Sequence, residues 1–430
     1  MAKKLNNSQK LWNRAKKAIP NGNMFLSKNP SRFLDDHWPT YFNKSKGCEV
    51  WDLSNKKYYD FSLMGVGTNI LGYANKKIDK EVQKVIKKGN LTTLNCPEEV
   101  ELAENLIKIH PWAGMARFAK TGGEANAIAI RLARAFTGKD LVMICGYHGW
   151  HDWYLSANLD KKNNLDTHLF KDLKFKGVPS FLKKTIFTFN YNDLNSFKKI
   201  IDKNKNKIAA IKMEVQRDKK PKDGFLRSIR KIANKHGIIL IFDECTSGFR
   251  ETLGGIHLKH KINPDLAIFG KALGNGYPIT SVIGKKNIMK MSEESFISST
   301  FWSERIGIVA AIKTLKEMKK IKSWKIITKN GKFLKKEIEK IAKKNNFEIS
   351  FKGLDSLINF QIKSKNPELL YKFITYEMLK AGFLAKNSIY VSTSHTKKII
   401  KKYLYNLNIV FQKMKKKKFN DIKKEIKNKI

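Results

Sequence analysis

Residues 238–242 form an unbroken apolar run, Ile-Ile-Leu-Ile-Phe, that ends abruptly in Asp243 and Glu244. A strand that is apolar at every position has both faces covered, as in the parallel sheets of α/β proteins. Helical patterns at residues 98–111 and 225–237 alternate with apolar runs, which favours a largely parallel sheet. We therefore expect Asp243 to lie at the carboxyl edge of a sheet, where α/β proteins bind their ligands.

A lysine ends a second apolar run further along the chain. Residues 264–278 read PDLAIFGKALGNGYP, in which glycines before and after Lys271 leave space around its side chain. Pyridoxal phosphate (PLP) requires such a pair of groups, because a lysine forms a Schiff base with its aldehyde and a carboxylate keeps its ring nitrogen protonated. Taken singly, Lys271 is explained as well by a surface charge, and Asp243 by a cap.

Residues 118–140 contain a turn of small residues, Thr121, Gly122 and Gly123, followed by apolar residues spaced as on one face of a helix that ends near Phe136. The amino terminus of a helix offers free N–H groups to a phosphate, and glycine permits close approach. The segment therefore predicts a phosphate site, with an ordinary helix cap as the alternative.

The next apolar run, in residues 141–153, is predicted to be a short strand that ends in Tyr147 and His148. An aromatic ring at the end of a strand can lie against the flat ring of a cofactor. A tyrosine that belongs only to the core is the alternative interpretation.

In this order along the chain, the phosphate turn, the Tyr-His-Gly strand, the Asp-Glu strand and the lysine resemble the class III aminotransferases, PLP-dependent enzymes of fold type I. Within that family, residues 248–255, GFRETLGG, and the sequence around Lys271 are most similar to the glutamate-1-semialdehyde 2,1-aminomutase subgroup. The resemblance runs from about residue 15 to about residue 410. It implies a large, mainly parallel-sheet α/β domain and a small α+β domain built from both chain ends.

The resemblance also implies roles for individual residues. Lys271 forms the internal aldimine and carries the proton between substrate and cofactor, and Asp243 pairs with the pyridinium nitrogen. Tyr147 stacks on the ring. The phosphate is held by the turn at Thr121, Gly122 and Gly123.

Two further residues are assigned to cofactor binding by the same resemblance. Thr300, in the sequence ISSTFWSERIG, reaches the phosphate of the neighbouring subunit's cofactor, which implies a homodimer. Glu214 stands where the family usually has Glu-Pro, although Val215 replaces the proline here.

Departures from the family pattern concern the substrate. The aminomutase's substrate-contacting segment is not recognisable in residues 21–39, and TFWSERIG replaces a Gly-rich run after Thr300. We find no arginine to assign to a substrate carboxylate. Side chains that are candidates for the pocket lining, with surface or core positions as the alternative, are His37, Trp38, Trp302 and Arg305.

These departures favour a class III aminotransferase that moves an amino group between a small-molecule donor and a small carbonyl acceptor, through the Lys271 aldimine and pyridoxamine phosphate. Glutamate-1-semialdehyde 2,1-aminomutase activity, an intramolecular transfer that gives 5-aminolevulinate, is the first alternative. A basic nucleic-acid-binding protein on an inactive enzyme fold is the second.

The formal charge of +47 raises the question of polyanion partners. The lysines are spread along the whole chain, and no zinc-finger spacing or RNA-binding motif accompanies them, so we expect solvated faces and no specific nucleic-acid partner. The four cysteines show no metal-ligand spacing, and no metal is predicted.

The chain contains no apolar stretch long enough to span a membrane and no apolar core of signal-peptide type near its start, so a cytoplasmic protein is expected. Residues from 413 onward are predicted to form a basic amphipathic helix. We predict that residues 1–60 and 311–430 form the small domain, and that residues 61–310 form the large PLP-binding domain.

Overall fold

The computed structural model describes residues 7–35, 37–168 and 170–428. The chain divides into two compact units. One, the terminal unit, comprises residues 1–76 and 325–430, and the other, the central unit, comprises residues 77–324. The domain boundaries near residues 60 and 310 stay predictions from the sequence.

The strands are β1 Phe42–Lys46, β2 Glu49–Asp52, β3 Lys57–Phe61, β4 Met115–Ala119, β5 Leu141–Cys145, β6 Ile186–Thr188, β7 Ile208–Glu214, β8 Ile239–Asp243, β9 Leu266–Phe269, β10 Thr280–Gly284, β11 Ile349–Lys352, β12 Leu357–Ile362, β13 Phe383–Ala385 and β14 Ser388–Tyr390.

The helices are α1 Asn7–Ala18, α2 Met64–Gly67, α3 Lys76–Ile86, α4 Glu98–Ile109, α5 Gly122–Thr137, α6 Asp152–Leu155, α7 Leu194–Asn204, α8 Phe225–Lys235, α9 His257–His260, α10 Lys286–Met289, α11 Arg305–Ile321, α12 Ser323–Lys344, α13 Pro367–Lys380, α14 Lys397–Lys416 and α15 Phe419–Asn428.

The central unit contains a seven-stranded sheet in the order β4-β10-β9-β8-β7-β5-β6. Strand β10 is antiparallel to both of its neighbours, whereas the pairs from β9 to β6 are parallel. The mainly parallel α/β sheet predicted from the alternation of apolar runs and helices is therefore confirmed.

The middle strands of this sheet are buried along their whole length, which is why β7, β8 and β9 are nearly uninterrupted apolar runs. Helix α5 covers them with the small and branched residues of one face, including Ala125, Ile128 and Leu132. Phe136, which the same spacing places on this face, lies in the last turn of α5 and is 39% exposed.

The terminal unit contains a four-stranded sheet, β1-β2-β3-β13, and a three-stranded sheet, β11-β12-β14. Strands β2 and β3 form the hairpin expected around residues 54 and 55, with Asn55 in the left-handed region at φ +59°.

The sequence predicts one helix from residue 413 onward, but the structure does not contain a single helix there. The segment is divided between the end of α14 and α15, and the break lies at Lys417, whose backbone is extended. Helix α15 packs on α13 and buries Ile422. Of the helices in the described ranges, none combines the length and the apolar character that crossing a membrane would require.

Candidate active site

Four strands of the central unit deliver their carboxyl ends to one edge of the sheet. Glu214 and Asp243 are the last residues of β7 and β8, and the register places them opposite each other. Tyr147 follows the end of β5, and Lys271 follows the end of β9. The sheet therefore brings together four of the residues that the sequence assigned to a cofactor site.

Asp243 is almost fully buried and has three polar neighbours. Its Oδ2 accepts a hydrogen bond from His148 Nδ1 at 2.8 Å and lies 3.5 Å from Lys212 Nζ, while its Oδ1 accepts one from the backbone N–H of Cys245 at 3.1 Å. Burial alone would raise the pKa of the carboxyl, but the Lys212 charge and the His148 hydrogen bond hold it well below its usual range. Asp243 is therefore ionised at neutral pH.

Lys271 begins a short 3-10 helix, Lys271–Gly274. Its own backbone is left-handed at φ +45°, a conformation that residues other than glycine rarely adopt. Its Nζ donates a hydrogen bond to Thr246 Oγ1 at 2.7 Å. Burial lowers the pKa of the Lys271 amine, and the positive charge of Arg217 lowers it further. Both effects raise the fraction of neutral, nucleophilic amine.

Thr121 caps helix α5. Its hydroxyl accepts a hydrogen bond from the Glu124 N–H at 3.3 Å, and its own backbone N–H donates one to Glu124 Oε2 at 2.7 Å, so both directions of the capping box are formed. The next N–H, that of Ala125, donates to the Thr121 backbone carbonyl at 3.1 Å. The N–H groups of Gly122 and Gly123 precede it, at the positive end of the helix dipole.

Cys245 connects this turn to the lysine. A methyl group placed on Gly122 would lie 3.7 Å from the Cys245 sulfur, and one placed on Gly270 would lie 3.4 Å from the same atom. On the other side of the turn, a methyl group on Gly123 would lie 3.1 Å from the His151 ring. The amino terminus of α5 and the start of the Lys271 turn are therefore close together, on either side of one half-buried sulfur.

Glu214 organises the other side of the cluster. Its Oε2 accepts the backbone N–H of Tyr147 at 3.2 Å, and its Oε1 pairs with Arg217 at 2.8 Å. Glu214 and Arg217 line a cavity of about 400 Å³ together with Gly146 and His168. The Tyr147 ring is half-buried and contacts Phe170 edge-on, with centroids 5.2 Å apart.

Thr300 does not join this cluster. It is exposed at the start of the 3-10 helix Thr300–Ser303, and among the residues described it makes no hydrogen bond to Lys271 or to the Gly122 turn. Of the pocket candidates, Trp302 donates to Glu124 Oε1 at 3.1 Å and Arg305 forms a two-point pair with Glu98 at 2.9 and 2.7 Å. The other two, His37 and Trp38, belong to the terminal unit.

Sequence reasoning missed four side chains at this edge: His148 as a partner of Asp243, Lys212, Thr246 and Arg217. Only Lys212 left a clear signal, since a lysine interrupts the apolar run IAAIKME. Thr246 and Arg217 follow Asp243 and Glu214 by three residues each, in turns whose direction the sequence does not specify.

Comparison with known proteins identifies the family. The family described as Aminotransferase class-III matches residues 34–401. The chain is 34% identical to a 3-aminobutyryl-CoA aminotransferase of Cloacimonas acidaminovorans, over 91% of each protein. It is also 34% identical to a glutamate-1-semialdehyde 2,1-aminomutase of Methanobrevibacter smithii, over 85% of this chain and 84% of that protein.

Solved structures share the fold. The PLP internal aldimine form of the FumI protein from Sphingopyxis sp. MTA144 superposes with a TM-score of 0.86 at 23% identity, covering 95% of this chain and 96% of that one. An omega-transaminase from Sphaerobacter thermophilus gives 0.83 at 21% identity, covering 94% and 97%. The chain belongs to the class III aminotransferase family, with PLP fold type I, and is a PLP-dependent enzyme.

The side chains at the sheet edge fit this cofactor. An ionised, buried carboxylate suits a protonated ring nitrogen, and an amine of lowered pKa suits an aldehyde. The glycine pair at the start of α5 leaves room that side chains would fill, next to N–H groups suited to a phosphate.

Proposed function

We propose that this protein is an aminotransferase that takes an amino group from a small-molecule donor and delivers it to a separate small carbonyl compound. The observation that carries the proposal is that two side chains lie at the same edge of the sheet: Lys271, whose amine has a lowered pKa, and Asp243, whose carboxylate is buried and ionised. When bound, PLP supplies an electron-withdrawing ring that stabilises negative charge on the substrate carbon.

The residues of the chain then divide the work. Lys271 would hold the cofactor through its aldehyde, and its free amine would move a proton from the substrate carbon to the atom one position away. Its bond to Thr246 Oγ1 at 2.7 Å gives the free amine a defined position. Asp243 would hold the ring nitrogen in its protonated form, since the lowered pKa of this carboxyl group keeps it from taking that proton.

The remaining assignments concern binding. Gly122 and Gly123 donate backbone N–H groups to the phosphate, and Tyr147 lies against the ring. Thr121 fixes the direction of these donors through its cap, because its hydroxyl is engaged with Glu124. Glu214 orients the turn after β5 through the Tyr147 N–H.

We further propose a homodimer in which Thr300 reaches the phosphate of the partner subunit's cofactor. The exposure of Thr300, and of the neighbouring Phe301 and Phe296 at 64% and 87%, supports this assignment. Phe296 lines an apolar cavity of about 560 Å³ together with residues of α5 and Trp302. Exposed aromatic rings beside an apolar cavity are typical of a surface that a partner covers.

The proposed reaction uses small molecules, in the cytoplasm, with no specific nucleic-acid partner. The similarity to a 3-aminobutyryl-CoA aminotransferase makes β-amino acyl thioesters the first donors to test. Aminomutase activity is the second candidate, and it is favoured by the matches to aminomutases at 29–34% identity over most of the chain. The alternative of an inactive basic binding protein is not supported, because the chain belongs to a family of PLP-dependent enzymes and contains both Lys271 and Asp243.

A donor screen separates these candidates. Purified protein with PLP would be given single amino donors, and formation of pyridoxamine phosphate would be followed by absorbance and by mass. An aminotransferase consumes a donor and stops until a carbonyl acceptor is added. Conversion of glutamate-1-semialdehyde to 5-aminolevulinate with no second donor would instead establish the mutase.

A further inference from the structure

A lysine is buried where the sheet should be apolar. Lys212 is the fifth residue of β7, all seven residues of that strand are buried, and the Lys212 side chain has no exposed surface. A lysine is almost never fully buried unless it is paired, because desolvation of an ammonium group is costly. Its position therefore requires a specific partner.

The partner is Asp243. Lys212 lies two residues before Glu214 on β7, and Glu214 is opposite Asp243, so Lys212 shares their face of the sheet. Its Nζ lies 3.5 Å from Asp243 Oδ2, the same oxygen that accepts the His148 hydrogen bond. The buried negative charge of Asp243 is therefore already balanced within the chain.

This balance conflicts with the role of Asp243. A protonated ring nitrogen paired with this carboxylate would place a second cation beside a single buried negative charge. Two cations near one carboxylate repel each other strongly in a medium of low dielectric constant. One of them has to lose its proton or remain unbound.

We propose that Lys212 is a positioning residue that serves as the resident counter-ion of Asp243 and gives up its proton to solvent when the cofactor ring nitrogen pairs with that carboxylate. The proton leaves from Lys212 Nζ, and the amine remains neutral in its buried position. Cofactor binding is thereby coupled to the release of one proton. This inference rests on the proposed pairing of Asp243 with the ring nitrogen.

The surroundings favour Lys212 as the source of the proton. Burial lowers the pKa of Lys212, which brings its deprotonation closer to neutral pH. The charged and titratable groups that act on it are Asp243, Cys245 and Glu214, which favour its proton, and the His148 imidazole, which interacts with it unfavourably when charged. Asp243 has the largest of the effects that keep Lys212 protonated, and a new cation beside Asp243 offsets that effect.

The test uses pyridoxamine 5′-phosphate, which has the cofactor ring and phosphate but no aldehyde to react with Lys271. Titration calorimetry of the full chain, in buffers of different ionisation enthalpy, gives the number of protons released on binding. Linkage makes one released proton equal to an affinity that rises about tenfold for each pH unit. Wild type is expected to release up to one proton more than Lys212→Met, with the correspondingly steeper pH dependence.

Controls identify the proton's origin. Met213→Leu changes the next residue of β7 without touching Asp243 and should match wild type. His148→Asn should keep the excess release, and its loss there would assign the proton to His148 and overturn the proposal. Lys212→Gln provides a second variant should Lys212→Met not fold, because its amide can still hydrogen-bond to Asp243. Equal proton release in wild type and in the Lys212 variants would also overturn the proposal.

Asp243→Asn separates the two levels of inference. If this variant binds pyridoxamine 5′-phosphate as tightly as wild type, the pairing of Asp243 with the ring nitrogen is wrong. If it binds much more weakly while Lys212→Met releases as many protons as wild type, the pairing stands and only the role of Lys212 is wrong.

Discussion

Replacing Asp243 by Asn should destabilise the cofactor-free protein, even though Asn has almost the same shape. The change removes the negative charge that faces Lys212 at 3.5 Å and His148 at 2.8 Å, and both of those side chains are buried. Removing one partner of a buried ion pair costs about 3–5 kcal/mol, whereas an exposed pair contributes about 0–1 kcal/mol. We expect the larger value because none of the three groups has appreciable solvent contact.

Hydrogen exchange suits this measurement, since it reports local stability in a chain that has two compact units. A loss of 3–5 kcal/mol corresponds to amide exchange roughly 100-fold to a few thousand-fold faster in β7 and β8. In a Lys212→Met background the same Asp243→Asn change should cost only about 1.5–3 kcal/mol, the contribution of the hydrogen bond from His148. A cost below about 1 kcal/mol in the wild-type background, or equal costs in both, would refute the buried-pair argument.

The pH dependence of this stabilisation has a definite sign. Because the folded pKa of Asp243 lies below its unfolded value of about 3.9, the stabilisation is complete above that value. It is lost only as the pH falls through the folded pKa. Between pH 5 and pH 8 the titration of Asp243 should therefore have little effect on the difference in the free energy of unfolding between wild type and Asp243→Asn.

Three further changes have defined expectations. Burial lowers the pKa of His110 and of His395 to about 4. The cofactor-free protein should therefore lose stability as the pH falls from about 6.5 to about 4, by up to a few kcal/mol for each group. Denaturant midpoints that stay constant over this range would contradict this expectation. Gly122→Ala should leave the unfolding temperature nearly unchanged, because the new methyl group lies at an ordinary contact distance of 3.7 Å from the Cys245 sulfur. The same change should weaken pyridoxamine 5′-phosphate binding at least several-fold. An unchanged affinity by calorimetry would show that the phosphate does not bind at this turn. Arg217→Met should raise the pKa of Lys271, because it removes a positive charge. The increase in the rate of covalent PLP capture with pH should therefore occur at a higher pH than in wild type. An unchanged pH profile would show that Arg217 does not act on Lys271.

Much of the fold is readable from the sequence because it depends on local patterns. The apolar run before Asp243 has the length of a strand that is buried on both faces, and the apolar residues after Thr121 have the spacing of one helical face. The positions of Asp243 and Lys271 follow from the rule that strand ends in a parallel sheet meet at one edge. These inferences need no knowledge of distant contacts.

The partners of these residues were less predictable. Lys212, His148 and Thr246 reach the edge from three different segments, and their roles depend on side-chain directions and on charge balance inside the sheet. The hydroxyl of Thr121 could serve a phosphate or a cap according to the sequence, and the capping box with Glu124 occupies it in the structure. Such choices between equivalent hydrogen bonds are decided by geometry that composition and spacing do not contain.

Covalent capture of the cofactor by Lys271 is the most direct test of the proposed active site. Wild type and Lys271→Ala would be incubated with PLP, reduced with borohydride, digested and analysed by mass spectrometry, with Lys285→Ala as a matched control for an exposed lysine of the same unit. We expect one phosphopyridoxyl group on the peptide that contains residue 271 in wild type and in Lys285→Ala, and none on that peptide in Lys271→Ala. Labelling scattered over surface lysines, with Lys271 unmodified in wild type, would contradict the proposal.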